Sequence, residues 1–223
     1  MATSFCLQGG PAWAGYIPPA NLGRPGNREG AATRSACLSA NTLTALVPLS
    51  NLGLTTEGFP TFYWYVPQNN CLAEFRLVEV DPTNNNETVI YLSRMDLSGA
   101  ARVVGLSLPK DGSVLPLKVG KEYFWDIGLV ALTSAGDPPS NFVKGWVKRV
   151  EPSASLAAAL QTAKGIDRYE AYANAGLWYD ALNTLVQLRQ ATPNNSALNQ
   201  AWSELLNSDA VELQAIAGPS ATQ

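Results

Sequence analysis

Residues 43–150 are built of short apolar runs, each closed by Pro, Gly, Asn or Asp, and the breaks come too often for helices of ordinary length. After Glu151-Pro152 the breaks thin out, and Ala- and Leu-rich sequence follows with apolar residues at helical spacing. The change of period divides the chain into a strand-forming part and a helix-forming part. Strands are predicted near 43–48, 61–66, 73–80, 88–93, 102–108, 121–132 and 141–150. Alternation is clearest where Tyr123, Trp125, Ile127 and Leu129 fall on one face and Glu122, Asp126 and Gly128 on the other. Phe142, Trp146 and Val150 share one side of the last strand with Lys144 and Lys148, so part of that side is wet. Asp81-Pro82-Thr83-Asn84-Asn85-Asn86 and Lys110-Asp111-Gly112-Ser113 supply turns. The expected fold is mainly β, an immunoglobulin-like antiparallel β-sandwich followed by a small α-helical domain.

In the second part, Ser153 or Ser155 caps a first helix behind Pro152. Further helices are predicted near 166–175, 178–191 and 195–207. Leu182, Leu185, Val186 and Leu188 form an apolar stripe that Thr192-Pro193-Asn194 ends. The expected division is an extended N-terminal arm over 1–35, a β-sandwich over 36–151, a helical domain over 152–217 and a tail over 218–223. The arm is rich in Pro and Gly, yet it carries Phe5, Leu7, Trp13, Tyr16 and Ile17. A disordered tail is poor in such side chains, so they are expected to dock on apolar surface, that of a second copy of the chain.

Composition removes several functions. The chain has no histidine, which excludes His-based triads and dyads and the usual zinc sites. Only 15% of its 223 residues are charged and the net charge is −3, with no Lys/Arg cluster for nucleic acid or a polybasic membrane site. No apolar run approaches a membrane span, and no signal peptide is visible at the start, so the chain is cytosolic or a processed form. Cys6, Cys37 and Cys71 allow one disulfide, with a Cys37–Cys71 bridge among the options, or three thiols in a reducing compartment. Glu122 and Asp126 lie too far apart on an extended strand to act as a close pair, and no Gly-rich phosphate loop is present. The expectation is a protein that is not an enzyme and takes no cofactor or metal. The aromatic strand Phe62-Tyr63-Trp64-Tyr65 reads as core on one face and as packed beneath another segment on the other.

Two resemblances add to this. Ala175-Gly176-Leu177-Trp178-Tyr179-Asp180-Ala181-Leu182, running on through Leu185 and Leu188 to Pro193, resembles a single tetratricopeptide repeat. In such a repeat Gly176 and Ala181 let two helices approach closely. As a whole the chain resembles the cyanobacterial family called domain of unknown function 928. That likeness is carried by Gly30-Ala31-Ala32-Thr33-Arg34-Ser35-Ala36-Cys37, Phe59-Pro60-Thr61-Phe62-Tyr63-Trp64-Tyr65-Val66-Pro67, Leu117-Lys118-Val119-Gly120-Lys121-Glu122-Tyr123 and Gly145-Trp146-Val147-Lys148-Arg149-Val150-Glu151-Pro152. It implies an exported protein, periplasmic or extracellular. The family's second cysteine, in the strand corresponding to 121–132, is missing here, which implies Cys71 as the partner of Cys37. The expected function is a non-enzymatic extracellular or cell-surface structural protein that self-assembles into a filament through Phe5, Leu7, Trp13, Tyr16 and Ile17. The alternatives are a periplasmic adaptor that binds a partner, another envelope protein, through Trp178, Tyr179 and Trp202, and a carbohydrate-binding module.

Overall fold

The computed structural model describes residues 15–30, 42–131 and 140–217. Eight strands and four helices follow one another: β1 (Thr44–Ala45), β2 (Leu52–Thr55), β3 (Thr61–Val66), β4 (Cys71–Val80), β5 (Glu87–Asp96), β6 (Arg102–Ser107), β7 (Glu122–Ala131), β8 (Ser140–Arg149), α1 (Ala154–Thr162), α2 (Gly165–Asn174), α3 (Trp178–Ala191) and α4 (Ser196–Asn207). The strands form a three-stranded sheet, order β1-β3-β6, and a five-stranded sheet, order β2-β8-β7-β4-β5. With four helices beside the two sheets, the fold is mixed rather than mainly β.

The two-residue period explains how the sheets face each other. Phe62 and Trp64 on β3 point the same way and meet Phe75 of β4 and Trp125 of β7, with ring centroids between 5.4 and 6.3 Å apart. Ala73 and Leu77 of β4, Tyr123, Ile127 and Leu129 of β7, and Val143 and Val147 of β8 fill the rest of this layer, all buried. In β7 the residues that face the small sheet are the ones that alternation predicts, but Phe124, Asp126 and Val130 on the opposite face are buried as well. In β8 the core residues are Val143, Gly145 and Val147, whereas Phe142 and Trp146 lie with Lys144 and Lys148 on the outer face of the large sheet.

One strand lies outside the predicted set. Leu52-Gly53-Leu54-Thr55 is too short, and its glycine too unfavourable in a strand, to stand out in sequence. It forms because Leu52, Gly53, Leu54 and Thr55 pair with Trp146, Val147, Lys148 and Arg149 of β8. That pairing is parallel, the one departure from the antiparallel sheets expected, and it makes β2 one edge of the large sheet.

Polar side chains cap α1 and α4, whereas α2 and α3 start without one. Ser153 accepts from the Leu156 N–H at 3.2 Å, and Asn195 accepts from Ala197 N–H and Leu198 N–H at 3.0 and 3.2 Å. Gly176 sits in the α2–α3 turn at φ +71°, a left-handed conformation that favours glycine. One continuous apolar cluster runs from Phe62 and Trp125 of the sandwich through Trp178 to Trp202 and Leu206 of the helical part. The change of sequence period at residue 151 therefore marks a change of element type within a shared core.

Candidate functional site

Three consecutive residues at the start of α3 attach the helical part to four different pieces of the sandwich. Trp178 donates its indole N–H to the Leu46 carbonyl, just past β1, at 2.9 Å. The Tyr179 hydroxyl accepts from the Trp125 indole of β7 at 2.7 Å and donates to the Trp146 carbonyl of β8 at 2.9 Å. Asp180 accepts from the Thr56 hydroxyl at 2.6 Å and from the Thr56 N–H at 3.2 Å, in the segment that follows β2. A buried polar group left without a partner costs roughly 1–3 kcal/mol, so these bonds fix the helical part in one position. Burial pushes the Asp180 carboxyl up to about 6, although the bonds from Thr56 and Thr55 pull the other way. Burial also raises the Tyr179 hydroxyl far above the ordinary tyrosine range.

The described part of the leader, residues 15–30, seats on its own chain. Tyr16 is buried and meets the Trp178 ring edge-on at 5.0 Å. The Ile17 N–H donates to the Ala173 carbonyl at 3.1 Å, while its side chain stays 56% exposed. Gly176 gives the leader room, since a Cβ there would lie 2.9 Å from the Ile17 carbonyl oxygen and 2.8 Å from Pro19. Further along, the Trp146 indole donates to the Pro25 carbonyl at 2.9 Å, Arg24 pairs with Glu122, and the Arg28 guanidinium donates to the carbonyl oxygens of Val47, Val211 and Glu212. Arg28 thereby joins the leader, the sandwich and the end of the helical part.

The same junction leaves a polar cleft of about 350 Å³. One wall is α2 and α3, with Arg168, Tyr172, Asp180 and Asn183; the other is the rim of the small sheet, with Phe59, Thr61, Ser107 and Lys110. Tyr63, buried on β3, donates its hydroxyl to Asn183 Oδ1 at 2.8 Å. Arg168 donates to the Tyr172 hydroxyl at 2.8 Å, and the Thr61 and Ser107 hydroxyls are 2.8 Å apart across β3 and β6.

The outer face of the large sheet carries ion pairs. Arg76 binds Asp126 through two bonds of 2.9 and 2.8 Å, Arg94 holds Glu74, Glu122 takes Arg24 and Lys148, and the Lys144 ammonium lies 3.4 Å from the centroid of Phe124. The Glu122 and Asp126 carboxylates are thus engaged in ion pairs, not presented as a reacting pair. At the far edge β5 pairs with β4 alone among the described residues, and its Val89 and Leu92 are 51% and 55% exposed.

The sequence-predicted sites fare unevenly. Trp178, Tyr179 and Trp202 are at most 1% exposed and belong to the core, so they offer no side-chain surface to a partner. Their aromatic size made them look like anchors, but size serves a buried joint equally well. Of the five leader residues, Tyr16 is spent on Trp178 of its own chain, Ile17 is exposed, and Phe5, Leu7 and Trp13 lie outside the described residues. Cys71 is disulfide-bonded, and Cys37 lies outside the described residues. Nothing in the sequence sets Asn183 or Arg168 apart, and Asp180 stands there only as part of the repeat-like segment. An acid in the first turn of a helix reads as an ordinary dipole partner, and only the fold shows it buried.

The fold defines a protein of two facing sheets locked to a helical unit by a tryptophan, a tyrosine and an aspartate in succession. The chain belongs to the family described as Domain of Unknown Function (DUF928), whose pattern it matches over residues 29–220. No curated protein matches it. Among the described residues, no helix is long and apolar enough to cross a membrane.

Proposed function

We propose that this is a non-enzymatic structural protein of the extracellular or cell-surface space that assembles with copies of itself, residues 1–14 of one copy adding as a strand to the open β5 edge of the next. The observation that carries this reading is β5 itself. It runs for ten residues, its Thr88-Val89-Ile90-Tyr91-Leu92 stretch has strong β preference, and it has no second neighbour among the described residues. Long edges of this kind template the addition of another strand, and native proteins usually block them with Lys, Pro or a covering segment. β5 has neither Lys nor Pro, and its Arg94 pairs with Glu74 of β4. A register shift opposite Leu77/Val78 leaves residues 91–96 in regular pairing.

The leader suits the donor's part. Its buried Tyr16 fixes the point of departure on the donor's own body, and the fourteen residues before Gly15 span up to about 45 Å when extended. Phe5 and Leu7 alternate as a strand's apolar face requires. A head-to-tail contact of this type propagates into a filament unless its rotation closes a ring. The disulfide at Cys71 supports an oxidising compartment. In this reading the sandwich is immunoglobulin-like, and the helical unit is a single tetratricopeptide-like hairpin that clamps the leader's exit.

The test is electron microscopy and light scattering on the full chain, on a chain lacking residues 1–14, and on Leu92→Lys. Filaments or rings from the full chain and monomers from both variants are expected. A monomeric full chain at high concentration, or polymers unchanged in both variants, overturns the reading.

A further inference from the structure

The cleft between the helical unit and the small sheet has a use that the assembly reading does not supply. Its volume of about 350 Å³ lies within the range of small-molecule sites, roughly 300–1,000 Å³. Its charged lining is balanced, with Glu57 and Asp180 against Lys110 and Arg168, so no net field selects an anion or a cation. The rest of the wall is mainly hydroxyl and amide groups, with Phe59 as an aromatic surface and the Lys110 ammonium 6.0 Å from its ring centroid. An apolar ligand would leave these polar groups unpaired, which is costly.

Some of these groups are already oriented. Asn183 Oδ1 accepts from the Tyr63 hydroxyl at 2.8 Å and from Gln187 at 3.5 Å, which fixes the amide and leaves its NH₂ to donate into the cleft. The Tyr172 hydroxyl takes its bond from Arg168 and keeps its own proton to give. The Thr184 hydroxyl donates to the Asp180 carbonyl at 2.7 Å and so presents only acceptor capacity. The helical wall thus offers the cleft two donors, Asn183 and Tyr172, and one acceptor, Thr184.

We propose that this cleft binds a neutral polyhydroxylated ligand, a saccharide unit, with Asn183 and Tyr172 donating to its hydroxyls and Phe59 offering an apolar face to its ring. Aromatic surface suits the C–H face of a sugar, and amide and hydroxyl groups suit its rim. The site does not depend on assembly, and neither the deletion of residues 1–14 nor Leu92→Lys touches its lining.

The experiment is saturation-transfer NMR followed by calorimetric titration of the full chain with a panel of neutral mono- and disaccharides, with inorganic phosphate as an anionic control. Saturable binding of at least one saccharide is expected. Asn183→Asp keeps the acceptor for Tyr63 but removes the donor, and Phe59→Ala removes the apolar face; each should weaken binding about tenfold, or about 1.4 kcal/mol. Gln187→Ala, at an exposed position, should cost a smaller factor without disturbing the fold. The melting temperature of each variant shows whether the fold survives. Should Asn183→Asp or Phe59→Ala unfold, Gln187→Ala decides the assignment by weakening binding or leaving it unchanged. Absence of saturable saccharide binding, binding of phosphate alone, or saccharide affinity unchanged in all folded variants overturns the proposal.

Discussion

The two edges of the large sheet are treated in opposite ways. β2 is four residues long, its Leu52 and Thr55 are buried, and α3 lies against it so closely that Gly53 has no room for a side chain. β5 is ten residues long, alternates between half-buried and exposed residues, and pairs on one side only among the described residues. A sheet edge needs partners for its N–H and C=O groups, and helix cover and water are two solutions of different strength. At β2 the solution is internal and also attaches the helical unit. At β5 no described strand pairs with the outer side.

Changes on the β2 side should have the largest effect, because there the edge and the shared core are the same thing. Trp178→Ala removes a fully buried ring, the bond to the Leu46 carbonyl and the seat of Tyr16 together. A loss of about 3–5 kcal/mol is expected, measured as a fall in the urea midpoint. Gly53→Val should follow. A Cβ there would sit 2.6 Å from the Tyr179 ring and 3.0 Å from Trp178, both buried and hydrogen-bonded, so neither can swing aside freely. Overpacking of this kind costs about 1–3 kcal/mol. If Gly53→Val matched the wild-type midpoint, the close fit of α3 on β2 would be wrong.

The difference between the edges also explains what was readable in the sequence. All seven predicted strands and the helices after 165 match observed elements to within a few residues, because alternation and helical spacing are local signals. β2 was not readable, since Leu52-Gly53-Leu54-Thr55 becomes a strand only through its parallel pairing with β8, about ninety residues on. The burial of Trp178, Tyr179 and Trp202 was likewise invisible. A ring at helical spacing looks the same in sequence whether it meets a partner or the chain's own sandwich. The cleft needs Asn183, Arg168 and Lys110 side by side, and that proximity exists only once the helical unit is in place.

Asp180 gives the β2 side a dependence on pH. Its carboxyl titrates near about 6 in the fold and at its ordinary value, near 3.8, in the unfolded chain, so the folded state binds the proton more tightly. Its contribution is therefore fully present below pH 3.8 and lost as pH rises through about 6. With about 1.4 kcal/mol per unit, the loss between pH about 4 and about 7 is of order 1–3 kcal/mol. Asp81, Asp96 and Asp111, held low by bonds from Thr83, Ser98 and Ser113, work in the opposite sense at more acid pH. The informative quantity is therefore wild type minus Asp180→Asn. That variant keeps an acceptor for Thr56 and cannot ionise, so the wild type should gain on it as pH falls from about 7 to about 4.5. A constant difference in urea midpoint across that range would show that Asp180 does not titrate there.

The smallest expected change in stability is at β5, and there it separates two meanings of an exposed edge. Leu92 is 55% exposed on the outer face of the large sheet, opposite Arg76 of β4, and Lys at this position breaks no buried contact. Leu92→Lys should shift the urea midpoint by no more than the equivalent of about 0.5 kcal/mol. An edge strand kept open merely because nothing selects against it would respond to Leu92→Lys in no other way. An edge used by a neighbouring chain would lose its assembly, since a lysine beside the incoming strand is a common natural means of preventing such pairing. Sedimentation of wild type and variant at equal concentration reads the second effect while the midpoint reads the first. A large fall in assembly beside an unchanged midpoint makes β5 a contact surface, whereas no change in either makes it an edge that water alone satisfies.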